Sequence, residues 1–108
     1  MKYRIENVTR FEVNEIAFIC DIITDLDIIR VKLNGDRIEI QINPGKEIDF
    51  ITGKKTGKET CDYRLRIDNN LCDIDISAFF DTVNAFITIT TGATVTIQDI
   101  IDIVETYA

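Results

Sequence analysis

Residues 87–97 read Ile-Thr-Ile-Thr-Thr-Gly-Ala-Thr-Val-Thr-Ile. As a hairpin, the run supplies two strands to a second sheet. A two-residue turn would set Ile89 against Thr94 and mix the two faces. A three-residue loop at Thr91-Gly92-Ala93 pairs Ile89 with Val95 and Ile87 with Ile97, and leaves threonines on the outer face. Gly92 then takes the positive φ that such a loop requires.

The rest of the chain has the composition of a β-protein. Ile occurs 21 times, Thr 12 and Val 6 in 108 residues. Branching at Cβ stiffens χ1 and suits a pleated surface better than a helix. Two further hairpins are expected. In the first, Ile29–Leu33 and Asp36–Ile42 flank Asn34-Gly35, a dipeptide suited to a two-residue turn. That turn opposes Val31 to Ile38, Ile29 to Ile40 and Arg30 to Glu39. In the second, Asn69-Asn70 turns the chain so that Ile67 meets Cys72, Leu65 meets Ile74 and Tyr63 meets Ile76. Arg66 and Arg64 would then face Asp73 and Asp75 as an outer ion-pair ladder.

Three segments are less decided by pattern. Glu15–Ile23 is apolar on both parities, so it fits a doubly buried strand or a buried helix. Ser77–Phe86 opens on a capping residue and fits a short helical turn. Ile97, Ile100, Ile101, Val104 and Tyr107 recur at helical spacing, which favours an amphipathic helix at the C-terminus; the alternative is a strand that continues through a bulge at Gln98-Asp99. The fold expected is a single all-β domain over residues 1–108. It is an antiparallel β-sandwich, jelly-roll-like or Ig-like, with a short C-terminal helix; the alternative is α+β.

The run Ile87–Ile100 resembles the closing strands of jelly-roll carbohydrate-binding modules in its Thr/Val/Ile alternation. The resemblance implies a sugar ligand, which such modules stack on aromatic rings. The chain has no Trp, and Tyr3, Tyr63 and Tyr107 form no evident platform, so no family is assigned.

Charge is unevenly placed. The net −7 arises wholly beyond Arg66, because residues 1–66 hold equal numbers of acids and bases. From Ile67 to the end there is no Lys or Arg, but there are Asp68, Asp73, Asp75, Asp81, Asp99, Asp102 and Glu105. This half would repel nucleic acid and anionic membranes, so neither is an expected partner. No run reaches the roughly 18 apolar residues of a membrane span. Met1–Glu6 has no signal-peptide character, so a cytoplasmic or virion location is expected. Three cysteines at unrelated spacing fit reduced, buried side chains.

Few residues point to chemistry. Thr52–Thr60, T-G-K-K-T-G-K-E-T, looks briefly like a phosphate-binding loop. It has three residues between its glycines instead of four, and Glu59 stands where the motif needs a hydroxyl. It is expected to be a flexible loop between strands. The chain has no histidine, and Ser77 is its only serine, so no enzyme is expected. Scattered cysteines do not make a soft metal site. The oxygens of Asp68, Asn69, Asn70 and Asp73, or of Asp99 and Asp102, do not follow an EF-hand loop. No cofactor or metal is expected, nor a small-molecule ligand.

What remains is a surface with two signs. Lys54, Lys55 and Lys58 are three of the six lysines, and Asp73, Asp75, Asp99, Asp102 and Glu105 belong to the acid-only half. These eight residues are the candidate partner-binding set. The expected function is a non-catalytic structural or accessory protein of the virion-component type, binding protein partners or copies of itself. The alternative is a small acidic inhibitor that mimics nucleic acid and blocks a nucleic-acid-binding enzyme. A carbohydrate-binding module is third.

Overall fold

The computed structural model describes residues 3–11, 17–72 and 74–106. Seven strands come first among these residues: β1 (Arg4–Arg10), β2 (Ala17–Ile23), β3 (Ile28–Asn34), β4 (Arg37–Ile42), β5 (Gly45–Ile48), β6 (Lys55–Thr60) and β7 (Tyr63–Asp68). Three helices follow: α1 (Asn69–Cys72), α2 (Ile76–Thr91) and α3 (Ile97–Glu105). The main sheet is antiparallel with order β1-β2-β3-β4-β7, and β5 pairs only with β6. The chain is strand-rich, as its composition indicates, and it ends in helices.

Alternation builds the main sheet. Ile5, Ile22, Ile29, Ile42 and Tyr63 stand side by side across all five strands. Beside them run Cys20, Val31, Ile40 and Leu65, then Phe18, Leu33, Ile38 and Ile67. The residues of β2, β3 and β4 in these rows are buried. Glu15–Ile23 resolves as a strand over its described part, because β2 lies inside the sheet. Burial pushes the Cys20 thiol up to about 12, with the Asp21 charge adding to the effect, so it stays protonated as a small hydrophobe. Cys61 is half-buried.

The first hairpin forms with its turn displaced. Leu33 meets Ile38, Val31 meets Ile40 and Ile29 meets Ile42, while Lys32, not Arg30, faces Glu39. The turn is Gly35-Asp36, with Gly35 at φ 63°. Sliding the turn by one residue moves each partner by two, and a shift of two leaves every side chain on its face. Hydrophobic alternation alone therefore does not separate these two registers.

The second hairpin is replaced. β7 pairs with β4, placing Ile67 on Ile38 and Leu65 on Ile40. Asn69–Cys72 is a helical turn, in which the Asn69 side chain accepts from the Ile74 backbone at 2.9 Å. Of the expected Arg–Asp ladder, Asp73 lies outside the described residues, and Arg66 and Asp75 are engaged elsewhere. Arg66 instead bonds Glu39, and Asp75 caps a helix. On β4 the inward side chains Leu65 and Ile67 meet Ile40 and Ile38, which are buried in the sheet.

The opening stretch, 87–97, is not a hairpin. Most of its first half is the end of α2, and Ile97 begins α3. Phe79, Val83 and Ile87 fall at i, i+4 and i+8 on the buried side of α2. The helix starts at Asp75 rather than Ser77: the Asp75 carboxylate accepts from the Ala78 amide at 2.8 Å. It stops at Gly92, φ 75°, whose amide donates to the Thr88 carbonyl at 2.9 Å. The left-handed glycine expected for a loop serves as a helix cap. Thr82, Thr90 and Thr91 donate their hydroxyls to the carbonyls of Ala78, Phe86 and Ile87, so the threonines are satisfied within their own helix.

The predicted C-terminal helix forms. Thr96 and Asp99 close a reciprocal capping box, and Ile97, Ile100 and Val104 are buried. Together α2 and α3 cover the apolar face of the main sheet where a second sheet was expected, with Ala93 and Val95 filling the connection. Ile89 separates the two arrangements. A hairpin would bury it with Ile87, whereas in α2 it is 83 % exposed. Ile89→Lys is expected to change stability by no more than about 0.5 kcal/mol, and Ile87→Ala to cost about 2–5 kcal/mol, in urea denaturation.

Candidate interaction surface

The opposite face of the sheet is polar. Asp21, Arg30, Gln41 and Arg64 form one row across β2, β3, β4 and β7, and Ile19, Lys32, Glu39 and Arg66 form the next. Asp21 and Gln41 are nonetheless buried. Arg30 grips the Asp21 carboxylate with Nε at 2.8 Å and Nη2 at 3.1 Å, and Asn7 Nδ2 donates to it at 3.0 Å. Asn7 reaches it from an irregularity in β1, where its φ is 55°. Burial pulls the Asp21 carboxyl upward, but the bonds from Arg30 and Asn7 and the Arg30 charge outweigh it and hold it below the usual value. Glu39 is treated the same way: burial raises it, while Arg66, Lys32 and Arg64 bring it down.

The β5–β6 hairpin springs from the end of this face. Asn43, φ 53°, fixes its root. Its Nδ2 donates to Asp27 Oδ1 and to Asp62 Oδ2, each at 2.9 Å, and its Oδ1 accepts from the Ile28 amide. Glu59 reaches Lys32 at 3.9 Å, which ties the hairpin to the sheet. Every residue of β5 and β6 is otherwise exposed. Lys55–Thr60 is thus a strand, and the loop expected there is not found. No helix follows it, so the phosphate-loop geometry is absent.

At the hairpin's far end the chain turns through Asp49–Lys54. Asp49 Oδ1 accepts from the amides of Ile51 at 2.8 Å and Thr52 at 3.2 Å, and Gly53, φ 69°, donates to the Asp49 carbonyl at 2.7 Å. This built turn holds two large apolar side chains outward. Phe50 and Ile51 are fully exposed. They are not among the partner-binding residues expected from the sequence, although Asp49 and Gly53 bracket them with turn residues.

The expected partner-binding residues fall into two groups. Lys54, Lys55 and Lys58 lie on the hairpin, beside its tip. Lys58 pairs with Glu47 at 3.8 Å, while Lys54 and Lys55 make no ion pair among the described residues. Asp75, Asp99, Asp102 and Glu105 lie exposed on the helical layer. Asp75 and Asp99 cap their helices, and Asp102 accepts from Gln98 Nε2 at 2.8 Å. Asp73 and Tyr107 lie outside the described residues. The described residues hold no cluster of three or more metal-ligating side chains. None of their helices is long and apolar enough to cross a membrane.

One large cleft, of about 630 Å³, opens at the β3–β4 turn end of the sheet. Phe11, Ile19, Leu33, Ile38, Ile67 and Leu71 supply its apolar lining. No protein family, curated protein or solved structure matches the chain.

Proposed function

We propose that this chain is a non-catalytic binding subunit of a larger protein assembly, of the virion-component kind, and that it works through the β5–β6 hairpin tip. One observation carries the reading: Phe50 and Ile51 are fully exposed on a turn whose own hydrogen bonds hold them there. Burying such side chains against a partner contributes roughly 1.5–3 kcal/mol each. A tip already held in shape loses little conformational entropy on docking. Lys54 and Lys55 beside it add an electrostatic preference for an acidic partner surface. Sedimentation of the protein over a wide concentration range, with affinity capture from its native host, tests this. Association or a captured partner, lost on changing Phe50 and Ile51 to serine, is the expected result. A strict monomer that captures nothing would overturn it.

A second reading draws on the helical layer. Asp81, Asp99, Asp102 and Glu105 are exposed there, with no base anywhere beyond Arg66. Such a surface suits an inhibitor that takes the place of nucleic acid in a basic groove. It calls for a salt-sensitive complex with a DNA- or RNA-handling enzyme. Binding that survives neutralisation of Asp75, Asp99 and Asp102 would exclude it.

A further inference from the structure

We infer that two copies of this chain pair edge to edge through β7, which joins their five-stranded sheets into one. The contact is separate from the Phe50–Ile51 tip and goes beyond the reading given for it. The main sheet has two outer strands, β1 and β7. Such a strand offers unpaired backbone groups to any matching strand, and proteins blunt these edges with bulges, kinks or charge. β1 is broken: its register on β2 shifts between Glu6 and Thr9, and Asn7 there has φ 55°. The β5–β6 hairpin is broken too, by a shift between Lys46 and Ile48 and by Gly57 at φ 88°. β7 has neither bulge nor kink, and its charges are of both signs. Its six residues pair with β4 in unbroken register, with no proline or glycine among them.

The strand is also self-complementary. The Asn69 amide donates to the Asp36 carbonyl at 2.9 Å, which marks that pair as a hydrogen-bonded position of the β4–β7 ladder. Such positions recur at every second residue. Ile67, Leu65 and Tyr63 therefore bond β4, while Arg64, Arg66 and Asp68 turn their amides to the open edge. The described residues place no strand there. Antiparallel self-pairing about a two-fold axis must match these outward groups with one another. The two registers with the longest overlap are centred on Arg66 and on Leu65, and charge separates them. Centred on Leu65, Arg64 faces Arg66 of the second copy, and like charges disfavour it. Centred on Arg66, Arg64 faces the Asp68 carboxylate of the second copy. Arg64 makes no ion pair among the described residues, whereas each Arg66 at the axis is already paired with its own Glu39. In this register the Arg66 amide and carbonyl bond those of the second Arg66, and the Asp68 amide bonds the Arg64 carbonyl.

The inner side of β7 has surface left to cover. Leu65 and Ile67 are only half-buried and Tyr63 is 56 % exposed, although their neighbours on β4 are buried. The helical layer thus covers β7 less completely than the strands beside it. The pairing sets Leu65 beside Ile67 of the second copy.

Sedimentation velocity and a disulfide trap test the contact. The double variant Phe50→Ser with Ile51→Ser should still be a dimer, so association through the tip is read as species beyond the dimer. Arg66→Pro removes the central amide, which β4 does not use, and should dimerise at least about 100-fold more weakly. Arg66→Ala loses the same side chain but keeps the amide, and should stay a dimer. Arg64→Glu should weaken the dimer about 10-fold. In a chain carrying Cys61→Ser and Cys72→Ser, Arg66→Cys should oxidise to a covalent dimer. Facing residues of a hydrogen-bonded pair have Cα atoms about 5.5 Å apart, within disulfide reach. Arg64→Cys, which faces Asp68, should not cross-link.

A tip variant that sediments as a monomer would overturn the inference; if the unaltered protein still associates, the tip reading stands. A dimer that survives both Arg66→Pro and Arg64→Glu would overturn β7 as its edge, as would an equal loss in Arg66→Ala and Arg66→Pro. Cross-linking through Arg64→Cys but not Arg66→Cys would overturn the register.

Discussion

Phe79→Ala is expected to destabilise the protein by about 3–5 kcal/mol, the usual loss for a fully buried phenylalanine. The side chain has no exposed surface and opens the buried stripe that continues through Val83 and Ile87. It is therefore the first point at which α2 grips the sheet. Its ring centroid lies 5.8 Å from that of Phe80, tilted by 37°, and such pairs contribute about 0.5–1.5 kcal/mol beyond burial. Phe80 itself is only half-buried. Phe80→Ala should thus cost clearly less than Phe79→Ala, while Phe79→Leu should keep most of the stability. Urea denaturation followed by circular dichroism measures all three. Equal losses at 79 and 80 would mean that α2 does not present this face to the sheet. A small domain has about 5–15 kcal/mol in total, so Phe79→Ala alone can bring it close to unfolding.

Arg30→Ala is expected to cost about 2–3 kcal/mol near neutral pH, because among the described residues it leaves the buried Asp21 carboxylate with only Asn7 as a hydrogen-bonding side chain. The figure sits below that of a wholly buried pair, since the Arg30 side chain is 35 % exposed. The dependence on pH identifies the cause. In the unaltered protein the Asp21 carboxyl lies below its ordinary value, so its contribution is fully present above the unfolded-state value. That contribution is lost as pH falls through the lower folded value. Without Arg30, burial dominates and lifts the carboxyl above its ordinary value. Protonation then favours the folded state, and the penalty of the variant should shrink as pH falls through that raised value. Adding Asp21→Asn to Arg30→Ala should recover part of the loss at neutral pH. A penalty that is the same at neutral and acid pH would mean that the lost side chain acted through packing alone.

The sequence was most informative where a short-range rule and the tertiary structure agree. The alternation of β3 and β4 around Gly35 gave two neighbouring strands, because a period of two buries one face whatever its partners. The C-terminal helix was legible because Ile97, Ile100 and Val104 share one helical face; the capping box of Thr96 and Asp99, seen in the structure, decides for the helix over the strand. The lysines of the hairpin and the carboxylates of the helices were also readable as exposed charge. The tip was not. Phe50 and Ile51 look like core residues in a sequence, and only their place at the end of a projecting hairpin leaves them uncovered.

By itself, then, the sequence determined the β-rich character, the pairing of β3 with β4, the helical end and the division of charge. Each follows from local periodicity or from composition. The tertiary structure decided three things that local pattern leaves open: the exact register of β3 on β4, the choice of β4 as the partner of β7, and the state of residues 87–97. In the last case, Ile-Thr alternation over four residues fits a strand and the end of a helix equally well. The balance was tipped by Phe79 and Val83, which put Ile87 on their own buried helical stripe. The sheet below them had an apolar face to cover. Burial of that shared stripe outweighs the β-preference of isoleucine and threonine, which is worth only a few tenths of a kcal/mol per residue, up to about 1 kcal/mol.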